Sequence, residues 1–299
     1  MKLKFLAASA MALALVAGCT AAPEAPPRAL SEETTALFAG IPQGSGYFAT
    51  ESTLPFQAPD FTKISEDDYL PAFREGMEIH KAEIDAIKNN PAEANFDNTI
   101  VALEISGAML NRVAYVFFAL TGSNTTDGLD AINEEISPEL TAHGDAITLD
   151  PVLFARVKAV YDARDDLDLN TEDMTLLERT YDDMVHAGAL LTEEQKEQVK
   201  TINTALSEKT TAFGKMVREA TVDGALVVDS REELAGLSDT DIEAAAKAAA
   251  ERGMSGKFVI PLQNTTQQPL LPNLENREVR EKLFKNSVNR ADPGGENAT

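Results

Sequence analysis

The sequence predicts a mostly α-helical protein, a long-helix assembly with a small β element near residues 224–262. Three observations carry this. From residue 65 to about residue 220, apolar side chains recur at spacings of three and four, the period of a helix with one buried face. Ser, Thr or Asp residues stand directly before several of those periodic runs, where they can cap helix amides. Only two short runs, 225–228 and 257–262, have the bounded apolar, β-branched character of strands.

The elements follow in order. Ser65 opens the first long helix, with Asp68 as a weaker form of the capping box. Tyr69, Phe73, Met77, His80, Ile84 and Ile87 share one stripe of it, and Pro91 closes it. A second helix is expected over about 98–120, with Ile100, Leu103, Leu110 and Phe117 inward. A third covers 127–147 and is expected to kink at Pro138. Asp150 before Pro151 is a cap with a proline-first start for a fourth, which carries Leu153, Phe154, Val157 and Tyr161. Thr171 opens a fifth through Leu176, Leu177, Tyr181 and Val185. Thr192 and Gln195 make a full capping box for a sixth, running to about residue 220. The two strands then flank an alanine-rich helix over 240–252, closed by Gly253. A last helix, about 275–289, follows the polar segment 263–269. No fixed-period repeat indicates a solenoid.

Upstream of this body the chain reads differently. Lys2 and Lys4 precede an apolar run from Phe5 to Ala17, and Val16-Ala17-Gly18-Cys19 is a small-residue cleavage box. That run is too short for a stable transmembrane helix, so residues 1–18 read as a signal peptide. A cysteine after such a triplet resembles the bacterial lipoprotein box, which makes Cys19 a lipidation site. The expectation is an exported protein held on a membrane of the bacterial cell envelope. Thr20 rather than Asp after the cysteine points to the outer membrane, facing the periplasm. Residues 19–60 read as anchor and Pro/Gly-rich linker, with Phe38, Phe48, Leu54 and Phe56 able to drape over the body. Residues 61–299 form the helical region.

Composition narrows the function. Hydrophobic residues make up 43% of the 299 and charged residues 25%, ordinary for a globular protein. No second apolar run is expected to approach membrane length. With Cys19 lipidated no thiol remains, so neither a disulfide nor a cysteine metal site is available. A net charge of −23 repels nucleic acid and fits a solvated acidic surface.

Particular residues then become recognisable. The stretch 52–61 (STLPFQAPDF) leads into Asp68-Tyr69-Leu70-Pro71-Ala72-Phe73. After it come 96–104 (FDNTIVALE), Val116-Phe117-Phe118-Ala119-Leu120, Leu177-Glu178-Arg179, Ala225-Leu226-Val227-Val228-Asp229 and 262–269 (LQNTTQQP). In this order, from about residue 52 to 290, they resemble the N-terminal half of a dipeptidyl carboxypeptidase of the thimet oligopeptidase family of zinc metallopeptidases. The resemblance implies a mostly helical ellipsoid with a deep channel between two halves and hydrolysis of short peptides. For dipeptidyl carboxypeptidases it implies release of C-terminal dipeptides.

The resemblance brings no active site. The family's H-E-x-x-H places two imidazoles one helical turn apart around zinc, with the Glu as general base. The three histidines here, His80, His143 and His186, are neither followed by Glu nor paired at that spacing. His80-Lys81-Ala82-Glu83-Ile84 starts like the inverted motif H-x-x-E-H but has Ile84 in the second ligand's place, so His80 reads as a packing residue. No G-x-S-x-G elbow and no free thiol offers another route. No catalytic and no metal-binding residue is therefore assigned, and zinc is expected only in a catalytic part outside this sequence. In the family, the position of residues 291–299 is a mid-chain loop, so the chain reads as a truncated product, a fragment or half of a split enzyme. Two functions stay open. One is a peptidase half forming a channel wall, inactive alone, with a separate catalytic half or short peptides as partners. The other is a non-enzymatic, lipid-anchored module that binds peptides or an envelope partner. For the first, Gln263, Asn264, Gln267 and Gln268 are candidate peptide contacts; a turn-rich connection with locally satisfied amides is the competing reading.

Overall fold

A short helix that the sequence did not suggest comes first. The computed structural model describes residues 29–290. In it, α1 (Glu32–Leu37) is capped by Ser31, whose hydroxyl accepts from the Thr34 amide at 3.1 Å. Downstream, Phe48 is buried in the body, while Leu54 and Phe56 face solvent. The residue 1–18 segment and Cys19 lie outside the described residues.

Ser65 precedes α2 (Glu66–Lys88), and its amide donates to the Asp68 carboxylate at 2.7 Å. All of the long helices that the sequence predicts are present, with one break. Where a single helix is expected over 98–120, a π-helical turn (Phe96–Val101) runs into α3 (Ala102–Ile105), and a separate α4 covers Ala108–Ser123. Ser106 is extended and Gly107 has φ +71°, a left-handed conformation that glycine adopts without a Cβ penalty. The amide freed there is not lost: Gly107 N–H donates to the Glu83 carboxylate of α2 at 2.7 Å.

The stretch Phe96–Ser123 contains an 18-residue window that is, by length and composition, apolar enough to cross a bilayer, with a mean hydropathy of 1.4. This corrects the expectation that no further run approaches membrane length. Half of that window is buried inside the fold, and its helix is broken at Gly107, as befits a core element.

Next come α5 (Asp127–Thr148), uninterrupted at Pro138, and α6 (Pro151–Asp162). The Asp150 carboxylate caps α6 by accepting from the amides of Val152 and Leu153 at 2.9 and 2.8 Å. It also pairs with Lys88 of α2 at 2.6 Å. Then follow α7 (Thr171–Ala187), capped by Asn170, and α8 (Glu193–Asp223), opened by the Thr192–Gln195 box. The chain ends its described part with β1 (Leu226–Val228), α9 (Asp239–Glu251), β2 (Phe258–Ile260), α10 (Asn264–Leu270) and α11 (Arg277–Val288). The two strands pair antiparallel, with Leu226 opposite Ile260 and Val228 opposite Phe258.

Among the described residues the core falls into three larger regions and a small one of Ala225, Ala249 and Val259. Phe48, Tyr69, Phe73, Phe117 and Ile136 join α2, α4 and α5. Ile87, Ile100, Leu153, Val157 and Leu177 join the far end of α2 to the π turn, α6 and α7. Leu226, Leu234, Ile260, Leu262 and Leu283 make a smaller core between the strand pair and the last helices. Among the described residues the mostly helical fold with a single two-stranded sheet is as the sequence predicts.

Candidate functional site

Two of the three histidines, 63 residues apart in sequence, meet inside the helical body. His143 Nε2 of α5 lies 3.0 Å from His80 Nδ1 of α2, with the rings 5.0 Å apart. His80 Nε2 is 3.1 Å from Ser106 Oγ at the helix break, and that hydroxyl donates to the Leu103 carbonyl at 2.8 Å. The chain of donors assigns the tautomers. Ser106 has a single hydroxyl proton, spent on Leu103, so His80 Nε2–H donates to Ser106. His80 Nδ1 is then the bare acceptor, and His143 Nε2–H donates to it.

Burial disfavours the charged form of both imidazoles. It pushes His80 down to about 4, with His143 as a second cause. His143 is lowered for the same reason, against the pull of Glu78. Beside them burial raises Glu83, an effect partly offset by the Gly107 amide and by Arg112. The cluster ties α2 and α5 to the break between α3 and α4. Sequence reading assigned His80 to packing and missed its partner, because the pairing is purely tertiary. His186 stands apart on α7, exposed, with Nδ1 2.8 Å from the Asp182 carbonyl.

Zinc does not fit here. Among the described residues no three His, Cys, Asp or Glu side chains gather as a metal would require. A hydrolytic zinc needs about three protein ligands and an open position for water. His80 meets only one other imidazole, and the nitrogen that faces it already accepts its hydrogen bond.

The four amide residues sit on α10 rather than in a turn-rich connection. Gln263 is its N-cap, and the Gln263 carbonyl accepts from the amides of Thr266 and Gln267 at 2.9 and 2.8 Å. Gln267 is buried at 2% exposure, whereas Gln263, Asn264 and Gln268 are exposed. Gln268 borders a shallow surface cavity of about 670 Å³ that is shared with Arg277, Arg280 and Phe284 of α11. The Arg280 guanidinium donates to the Leu274 carbonyl.

A second groove, of about 560 Å³, lies between the 47–61 stretch and α4. Phe48, Phe56, Phe61 and Tyr115 line it. Arg112 fastens its floor by donating to the carbonyls of Phe48 and Ala49, both at 2.8 Å. Phe56 and Gln57 hold left-handed backbone, φ +59° and +55°, a conformation that costs a non-glycine residue about 1–3 kcal/mol. The turn is braced by Ser52, whose hydroxyl donates to the Ala58 carbonyl at 2.6 Å.

No family model matches the sequence. Over 252 residues, 84% of this chain, it is 44% identical to the dipeptidyl carboxypeptidase of Escherichia coli (strain K12), covering 37% of that protein. The Salmonella typhimurium dipeptidyl carboxypeptidase is 44% identical over 244 residues, 82% of this chain and 36% of that protein. Oligopeptidase A of Escherichia coli is 23% identical over 244 residues, 82% of this chain and 36% of that protein. The chain thus spans little more than a third of the length of these relatives.

Proposed function

We propose that this chain, related over most of its length to the dipeptidyl carboxypeptidases and more distantly to the oligopeptidases A, forms a non-catalytic wall of a peptide-hydrolysing fold. Its kinship supplies the peptidase character. The single observation that carries the inactivity is the donor set: two imidazoles bonded to each other, a third on α7 bonded to a backbone carbonyl, and among the described residues no group of three His, Cys, Asp or Glu side chains. Hydrolysis by zinc needs a bound water and a base placed to take its proton, and neither arrangement can be built from these side chains. In this reading Gln263, Asn264 and Gln268 of α10 offer amides to peptide backbone, and Arg277 offers a cation beside Gln268. Gln267, named with them from the sequence, is buried and does not belong to that surface.

The same reading tethers the protein. Cys19 carries the lipid, and the protein sits on the envelope membrane, at the outer membrane facing the periplasm.

The test is dipeptide release from N-blocked tetrapeptides by the purified chain with excess zinc, with and without chelator. The expected result is none. Chelator-sensitive release that is lost in His80→Ala or His143→Ala would overturn the assignment. A second reading, a lipid-anchored binding module, is favoured by one feature: Phe56 is fully exposed beside the apolar groove. Tight binding of apolar peptides that Phe56→Ala abolishes would support that reading over the first.

A further inference from the structure

Helix α11 inverts the charge of the protein around it. The chain carries 49 acidic against 26 basic residues, yet α11 holds Arg277, Arg280, Lys282 and Lys285 against Glu278 and Glu281. Helix α10, just before it, has no charged residue. The cavity of about 670 Å³ that they border is therefore a positive spot on an acidic surface, and its volume lies in the range of small-ligand sites.

The two guanidinia that line it have donors to spare. Arg277 is exposed, and its side chain makes no hydrogen bond or ion pair among the described residues. Arg280 donates to the Leu274 carbonyl through one nitrogen and pairs with no acid among the described residues, which leaves the rest of its planar fork. Glu281, the acid that also lines the cavity, is engaged by Lys285 at 2.7 Å. Leu271 and the Phe284 ring, 52% exposed, give the cavity an apolar side, and Gln268 adds a side-chain amide.

We propose that this cavity is a subsite for an aspartate or glutamate side chain of a bound peptide, with a neighbouring apolar side chain on Leu271 and Phe284. The inference rests on the peptide contact at α10 proposed above and adds to it the class of peptide. A guanidinium fork matches a carboxylate in shape as well as in charge. The cavity is shallow and lies on the surface, which suits a chain that runs on past Arg277 better than a chain end. Elsewhere a protein of net charge −23 repels an acidic peptide, so the preference is made at this contact.

The test is calorimetry of the full chain with three N-acetylated hexapeptides of alanine and leucine. The first has a central glutamate and an amidated end, the second a central glutamine and an amidated end, the third a central glutamine and a free terminal carboxylate. The glutamate peptide should bind about tenfold more tightly than the amidated glutamine one, and Arg277→Gln should abolish the difference. Phe284→Ala should weaken both amidated peptides severalfold. Arg277 is exposed, so its variant should melt with the parent; Arg277→Lys, which keeps the charge and loses the fork, replaces it if it melts early and should lose most of the preference. Equal affinity for the two amidated peptides, or a preference that survives both Arg277 changes, overturns the proposal and leaves the peptide contact at α10 standing. Tightest binding of the third peptide makes a chain end the ligand and overturns it as well. Binding of phosphatidylglycerol vesicles that Arg277→Gln abolishes, without a preference among the peptides, makes a lipid surface the partner and overturns it. No binding of any of the three peptides overturns both the subsite and the peptide contact.

Discussion

The buried histidine pair makes stability fall with acid earlier than carboxylates alone would allow. His80 is held near 4 in the folded chain against an ordinary 6.5. The sign follows from which state takes the proton. Below about 6.5 the unfolded chain protonates His80, while the native chain refuses the proton until about 4, so stability drains away across that window as pH falls. At pH 5 the linkage amounts to about 2 kcal/mol, or about 1–2 after allowance for solvent reaching the half-buried pair. His143, lowered by the same burial, adds in the same direction. Glu83, raised by burial, opposes it, and a His80→Gln variant holds that contribution constant. The depressed carboxylates Asp68, Asp130 and Asp150 lose their contribution at lower pH, as they protonate below the ordinary carboxylate range. Urea unfolding of the parent and His80→Gln at pH 7 and pH 5 therefore isolates the contribution of His80. The parent should lose about 1–2 kcal/mol between the two, and His80→Gln less than about half of that. A parent with equal stability at both values, or a variant that falls as steeply, would refute the reasoning.

Three further outcomes follow from the same contacts. Gly107→Ala places a Cβ 3.0 Å from the His80 ring on a backbone at φ +71°, and should cost about 1–3 kcal/mol in urea unfolding. Phe117→Ala removes a fully buried ring that sits 5.2 Å from both Tyr69 and Phe73, and should cost about 3–5 kcal/mol by the same measurement. Cys19→Ala should move the protein from membrane to soluble fractions of the producing cells, and sedimentation with membranes after a high-salt wash would count against the lipid anchor.

Elements with local signatures were the ones legible in the sequence. Ser65 with Asp68, Asp150 before Pro151, and Thr192 with Gln195 each bond within three or four residues, so the chain declares them without any tertiary context. The break at Ser106-Gly107 was hidden because an isolated glycine inside a periodic run is usually tolerated. Here the left-handed turn depends on Glu83, which lies 24 residues earlier. The pattern of residues 263–269 predicts no helix because Asn, Thr and Gln have weak helical preference, and α10 forms where its Leu270 packs in one core with Ile242 and Ala245 of α9 and Ile260 of β2. His80 and His143 share nothing in sequence that foretells a 3.0 Å contact.

A chimera tests the proposal that this chain forms the non-catalytic portion of a dipeptidyl carboxypeptidase-like fold. Residues 52–290 of this chain replace the matched segment of the Escherichia coli dipeptidyl carboxypeptidase, leaving the rest of that protein intact. The chimera is then assayed for chelator-sensitive release of C-terminal dipeptides, beside the present chain alone. Release by the chimera and none by the chain alone is the predicted result. A chimera that folds with a cooperative melt yet releases no dipeptide, or a chain that releases dipeptides unaided, would contradict the account.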